Sequence, residues 1–317
     1  MNDRDFQPTA TFPILKERAA LLKKLRQFFE ERNFLEVETP LLSADTVVEQ
    51  HIDPVSVLLP HDPRQPERGQ PMWLQSSPEF HMKRLLATGE YEAIFQISKA
   101  FRVAERGQLH NPEFTIVEWY RVGDDLAAGM DLLCDLCVTM LGTPPVERLT
   151  YREAFLRYAE FDPFADEASG AIGDERKHNE DLNELLATKV EPQLGRDRPT
   201  LLYHYPASQA ALSQVTTDSH GNAVAERFEL YVDGIELANG YHELLDADEL
   251  RQRNAKNNVI RLADGRVKLP EERRLLTAME HGLPNCTGVA LGFDRLVMLA
   301  TGAANIEEVI AFPIERA

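Results

Sequence analysis

The sequence predicts an α+β fold, an antiparallel sheet flanked by helices. Three observations carry that expectation. Apolar residues recur at helical spacing near the start of the chain, at Leu15, Ala19, Leu22, Leu25 and Phe29. β-Branched and aromatic runs such as EFTIVEWYR recur behind turn residues and read as strands. Asp233-Gly234 separates two such runs, a strong cue for a tight hairpin. Many strands joined by hairpins, with helices between them, favour antiparallel pairing.

The elements follow in order. Pro13 opens the first helix, where its fixed φ and missing N–H cost nothing. Residues 34–39 read as a strand that Pro40 halts. Residues 60–71 form a proline-rich loop. MWLQSSPEFHMKRLLATG reads as a strand, a turn at Ser77-Pro78 and a helix ending at Gly89, with Glu79 at the positive end of the dipole. YEAIFQISKAFR and EFTIVEWYR pair as a hairpin around a charged loop, residues 103–110. Residues 124–141 and 151–159 read as helices. Residues 166–181 are polar, rich in Gly, Asp and Glu and without a period, and read as a surface insertion. TLLYHYPASQAAL is a buried strand running into a loop, and RFELYVDGIELANGYHEL is a hairpin through Asp233-Gly234. DADELRQRNAKNN is a charged helix and residues 271–281 begin another. Residues 288–300 run strand, glycine turn, apolar helix.

Composition excludes several classes. At 317 residues the chain can bury a large core, and 43% hydrophobic with 27% charged residues is ordinary for a globular protein. No apolar run approaches the roughly 18 residues of a membrane span, and MNDRDFQPTATFP lacks the form of a signal peptide. The cytoplasm is the expected compartment. Three cysteines do not make a disulfide framework. Cys134 and Cys137 form a C-x-x-C on an apolar helix with no second Cys/His pair nearby, which reads as packing rather than a metal or redox site. A net charge of −18 disfavours a large nucleic-acid footprint, because non-specific binding to phosphate backbones is electrostatic.

The charged residues inside the strands point to chemistry. Arg102 ends a strand beside a charged loop, where a guanidinium could fork onto a phosphate or make an ordinary surface ion pair. Arg295 follows a glycine turn at Gly292 that lets a ligand approach the backbone, although Asp294 could simply cap the helix and pair with it. Glu118, Glu236 and Glu243 lie in apolar strand contexts, where a buried carboxylate needs a partner or a metal, unless alternation turns it to solvent. With Glu79 at a helix start, these residues suggest a pocket for a cation, a metal or both.

FLEVETPLL from Phe34, FRVAERGQLHNPEFTIVEWY from Phe101 and GVALGFDRLVML from Gly288 resemble motifs 1, 2 and 3 of the class II aminoacyl-tRNA synthetases. With SSPEFHMKRLL and GIELANGYHEL, nearly the whole chain is similar to the catalytic domain of the class IIb lysyl-tRNA synthetases. YHYPASQAALSQ and the terminus IEEVIAFPIERA bring it nearer to a stand-alone paralogue family that ligates (R)-β-lysine to elongation factor P. The resemblance implies a class II catalytic fold and an ATP-dependent ligase using Mg²⁺, with (R)-β-lysine and elongation factor P as substrates. It implies a homodimer through motif 1, including Pro40. Arg102 would bind the α-phosphate and Arg295 the γ-phosphate. Val103, Ala104, Glu105, Asn111, Phe114, Glu236, Leu237 and Gly292 would line the ATP site, with Phe114 stacked on adenine. Glu236 and Glu243 would hold Mg²⁺. Ser77, Pro78 and Glu79 would meet a substrate amino group, and Glu118, Tyr120 and Glu243 a side-chain ammonium.

Three departures from the synthetase pattern matter. About a dozen residues precede the first helix, too few for an anticodon-binding barrel, so a single domain over residues 1–317 and little role for tRNA are expected. Motif 2 usually reads Arg-x-Glu, whereas here Arg102-Val103-Ala104 precedes Glu105. Two residues before Gly292 the synthetases usually carry glycine, and here Ala290 adds a methyl that is expected to disfavour α-lysine. Two other readings stay open: a truncated lysyl-tRNA synthetase-like ligase, and a non-catalytic paralogue. Intact Arg102, Arg295, Glu236 and Glu243 count against the second.

Overall fold

A computed structural model describes residues 6–165, 172–271 and 273–317. In chain order the elements are α1 (Phe12–Glu30), β1 (Leu35–Glu36), β2 (Leu42–Ser43), β3 (Val55–Pro60), β4 (Gly69–Leu74), α2 (Glu79–Leu86), β5 (Ala93–Phe101) and β6 (Glu113–Val122). There follow α3 (Leu126–Leu141), β7 (Glu147–Thr150), α4 (Tyr151–Tyr158), α5 (Ile172–Leu185), β8 (Thr200–Pro206), β9 (Val215–Thr217), β10 (Ala223–Val232) and β11 (Ile235–His242). The chain ends with α6 (Ala247–Ala263), α7 (Arg273–Gly282), β12 (Cys286–Gly292) and α8 (Phe293–Thr301). They form two compact units, Met1–Val122 with Leu245–Pro284 and Gly292–Ala317, and Gly123–Leu244 with Asn285–Leu291.

In the first unit, β5 and β6 form a long antiparallel hairpin and β1 adds in parallel to β5. A separate small sheet has the order β2–β4–β3. Strand alternation sorts the residues of β6. Thr115 and Trp119 face α1 and α8: the Thr115 N–H donates to Asp294 Oδ2 at 2.7 Å, and Trp119 lies 5.3 Å from Phe29. Phe29 also stacks on Phe95 at 4.5 Å, so an aromatic core fixes α1 against this hairpin. Phe114, Ile116, Glu118 and Tyr120 therefore share the opposite face.

In the second unit the strand order is β12–β11–β10–β8–β7, antiparallel except for β7 on β8, with β9 beside β10. Asp233 and Gly234 both take positive φ, 53° and 74°, as a type I′ hairpin turn requires. α3 begins at Asp125, whose carboxylate accepts from the Ala128 N–H, and ends at left-handed Gly142. Gly129 lets this helix close on β12, since a Cβ there would lie 2.9 Å from Thr287 Cγ2. Tyr151, Phe155, Leu202, Tyr205 and Tyr231 lie in its core.

The structure departs from the sequence reading in three places. Residues 55–60 and 69–74 pair as β3 and β4, so the proline-rich stretch is a hairpin tip rather than a free loop. Only Leu35–Glu36 of the expected 34–39 strand pairs. Residues 172–185 are helical, with Leu182 buried, where the sequence showed no period over 166–181; residues 166–171 lie outside the described residues. One apolar contact per few turns is too sparse a period to read. Among the described residues no helix is long and apolar enough to cross a membrane.

Candidate active site

The first unit gathers charge around the loop between β5 and β6. Arg102 closes the base of the loop, its N–H donating to Pro112 O at 3.0 Å. Its guanidinium lies 5.0 Å from the centre of the Phe114 ring and 3.6 Å from Glu105 Oε1. Ala104 takes a left-handed φ of 63°, and the chain after it returns toward Arg102. That turn brings Glu105 back to the arginine. Val103 is exposed and its N–H donates to Asp53 O. From α8, Arg295 donates to His110 Nε2 at 2.7 Å and to Leu109 O at 3.4 Å. Burial lowers the His110 pKa, Arg295 and Arg102 lower it further, and Glu105 opposes them. The imidazole is therefore neutral near pH 7, with its acceptor nitrogen toward Arg295.

His110 takes Arg295 and feels the charge of Arg102; the sequence reading did not single it out, although it stands in the quoted stretch HNPEF. Asp294 is buried and takes Arg18 at 2.6 Å, while Arg295 reaches the loop. Gly292 stands at the N-terminus of α8, with only the Arg295 side chain near the place of a Cβ. Asn111 is buried: its Nδ2 donates to Glu113 O and its Oδ1 accepts from the Ile314 N–H. Its amide is committed inside the protein.

The same face of β5–β6 carries the candidate ammonium site. Glu118 is 1% exposed, and Tyr120 donates to its Oε1 at 2.7 Å. Gln96 lies opposite Glu118, and Ser98 opposite Ile116. Gln96 Oε1, Ser98 Oγ, Ser76 Oγ and Arg102 Nε are buried and have no hydrogen-bond partner among the described residues. Buried polar atoms are nearly always paired, so each of these is open to a water or a ligand. The sequence reading of YEAIFQISKAFR as a strand did not single out Gln96 or Ser98. Ser77 Oγ accepts from the Glu79 N–H after Pro78 turns the chain into α2. Glu79 does not serve as an exposed capping residue. It is buried and ion-paired to Lys83 at 2.5 Å, four residues along the helix.

In the second unit a bulge decides which side chains share a face. Leu230 pairs with Ala238 but Tyr231 with Glu236, leaving Leu237 as the extra, buried residue. Strict alternation would put Glu236 and Asn239 on opposite faces. The bulge puts both beside Glu229 and Tyr231, and Tyr241 and Glu243 follow at alternate positions. Ala290 pairs with Asn239, which pairs with Glu229, so the three form one row across three strands. Glu229 is nearly enclosed and accepts from Tyr205, Tyr231 (2.6 Å), Asn239 (2.9 Å) and Arg227. Glu243 is 1% exposed, its N–H donates to Cys286 O, and it bridges Ser213. Glu236 stays half-buried.

Among the described residues no group of three or more His, Cys, Asp or Glu forms a protein cage for a metal. Mg²⁺ does not need one, since it is held by one or two carboxylates plus phosphate and water. Half-buried Glu236, which pairs with Tyr231 on the face that Glu229 shares, fits that requirement. The Cys134–Cys137 pair behaves as packing: burial raises both thiols, Cys137 to about 11.

A family model described as tRNA synthetases class II (D, K and N) matches residues 5–316. The chain belongs to this family. Its fold is accordingly a class II synthetase-type domain, α+β with a mixed, mostly antiparallel sheet flanked by helices. Such proteins activate an amino acid with ATP, in general with Mg²⁺.

Proposed function

We propose that the protein activates (R)-β-lysine with ATP and Mg²⁺ and transfers the β-lysyl group to the ε-amine of a lysine on elongation factor P, acting as a cytoplasmic homodimer. The observation that carries the activation step is the ordering along one face of β6. Arg102 over Phe114 stands at one end, and the Glu118–Tyr120 pair at the other. Four residues of strand separate Phe114 from Glu118, about 14 Å. A guanidinium and an aromatic ring suit an α-phosphate and a base; a buried carboxylate suits an ammonium.

The substrate carboxylate oxygen attacks the α-phosphorus, and the bond to pyrophosphate breaks. Arg102 meets charge developing on the α-phosphate, and Arg295 holds the γ-phosphate. Phe114, Glu105 and the backbone of Val103 and Ala104 line the base, and Gly292 and Leu237 the remaining wall. Mg²⁺, when bound, neutralises triphosphate charge; Glu236 and Glu243 are its proposed ligands. Glu79, Ser77 and Pro78 receive the substrate amino group, and Glu118, Tyr120 and Glu243 the side-chain ammonium. The acceptor amine then attacks the adenylate carbonyl, AMP leaves with the C–O electron pair, and the amine loses its proton. The methyl of Ala290, in the row with Asn239, favours the displaced β-amino group over an α-amino group. The −18 charge favours a protein over tRNA as acceptor.

The test supplies ATP, Mg²⁺ and radiolabelled (R)-β-lysine with either elongation factor P or bulk tRNA. Label on elongation factor P alone is expected. Label on tRNA returns the chain to the synthetases, and no label on either, with no pyrophosphate release, points to a non-catalytic paralogue.

A further inference from the structure

The terminal stretch IEEVIAFPIERA has so far no part in the reaction. Its apolar residues Ile306, Val309 and Ile310 are buried, and its backbone is tied down by Thr9 N–H to Ala311 O (2.8 Å) and Arg18 to Val309 O (3.4 Å). Its polar edge meets the loop that follows Arg102 in three places. The Ile306 N–H donates to Gln108 O at 2.8 Å, near the loop tip. The Ile314 N–H donates to Asn111 Oδ1 at 3.1 Å, at the loop base. Between them, the Arg106 guanidinium reaches two carboxylates of the segment, Glu307 and Glu315.

These contacts have a consequence for nucleotide binding. The loop carries Glu105, 3.6 Å from Arg102, and His110, which takes Arg295 at 2.7 Å. Apart from the Gly107–His110 bridge, the tip is held from outside itself. A short exposed loop without such contacts would sample many conformations, and only a fraction would match the triphosphate. Bonds separated by about two hundred residues in sequence are an expensive way to order a surface loop unless the order is used.

We propose that residues 306–316 form a latch that positions the 102–111 loop for ATP, with Arg106, Glu307 and Glu315 as positioning residues. The latch rests on the nucleotide reading of that loop given above. Arg106 touches no reacting atom; it acts through the conformation of Glu105 and His110. Exposed ion pairs contribute little to global stability, so the latch can fail without unfolding the protein.

The full chain carrying Glu307→Gln and Glu315→Gln is compared with wild type by ATP titration in a calorimeter and by amino-acid-dependent ATP–pyrophosphate exchange. If the competent loop population falls to about one-tenth, the Kd and KM for ATP rise about tenfold. The kcat at saturating ATP and the KM for the amino acid stay within about twofold, and the thermal midpoint is unchanged. Arg106→Gln should reproduce the loss, and Arg106→Lys should recover most of it. ATP binding as tight as wild type in both the double variant and Arg106→Gln overturns the latch; should the double variant not fold, Arg106→Gln alone decides. Wild type that binds no ATP at all overturns the functional reading, and the latch with it.

Discussion

Glu229 in the second unit is a charge withdrawn from water and Arg102 in the first is a half-buried one, and the protein treats them differently. Glu229 receives two phenols, an amide and the Arg227 guanidinium. Arg102 has Glu105 at 3.6 Å and an aromatic ring, and its buried Nε has no partner among the described residues. The first arrangement supplies its own counter-charge; the second leaves a buried donor without a partner among the described residues. A buried charge satisfied by its own fold reports on stability, and one left short of partners reports on a ligand.

The contrast can be broken by experiment. Arg102→Ala should lower ATP–pyrophosphate exchange about 10³-fold, about 4 kcal/mol, with the thermal midpoint unchanged. A loss under tenfold, or one accompanied by unfolding, would remove Arg102 from the ligand side of the comparison. Arg227→Ala should act in the opposite currency, costing about 3 kcal/mol in urea unfolding because it strands the Glu229 charge. Unchanged stability there would show that Glu229 does not depend on its cation.

Smaller effects sharpen the same division. Glu118→Gln should raise the KM for the amino acid roughly 10- to 100-fold while leaving ATP affinity within about twofold. Equal effects on both substrates would sink its role toward the ammonium. Ala290→Gly should shift the α-lysine to β-lysine ratio by about 1 kcal/mol, roughly fivefold, as one methyl in a pocket does. An unchanged ratio would remove Ala290 from selectivity.

The two histidine clusters separate by pH. In the second unit His242 is raised, first by its hydrogen bond with Glu226, despite partial burial. A raised folded pKa contributes stability that is fully present below the unfolded value of about 6.5 and is lost as pH rises through the folded value. His242→Gln should therefore cost under about 1 kcal/mol near pH 6 and progressively less toward pH 8 and above. In the first unit His110 is lowered, so its protonation opposes folding and His110→Gln should instead relieve a loss of stability on acidification below about pH 6.5. The same pH trend for both variants would show that the two sites are not electrostatically distinct.

Much of this was legible in the chain. Helical periods, the strand runs around Glu118 and Glu236, and the Asp233-Gly234 turn follow from local sterics and from which side chains avoid water, and these are properties of short segments. So is the supply of arginines and carboxylates along the chain. The helix at 172–185 was not legible, because its buried face is too narrow to register as a period. The facing of Glu236 and Asn239 was not either: the bulge at Leu237 reverses strand parity, and a bulge costs too little to leave a mark in the residues around it. Nor could any segment show that Arg295 meets His110 across 185 positions, or that Arg106 meets Glu315 across 209. Sequence by itself determined the elements and the chemistry they carry. Only the tertiary structure decided which of those groups share a face and which are left short of a partner, because that depends on register and on contacts between segments that local interactions do not encode.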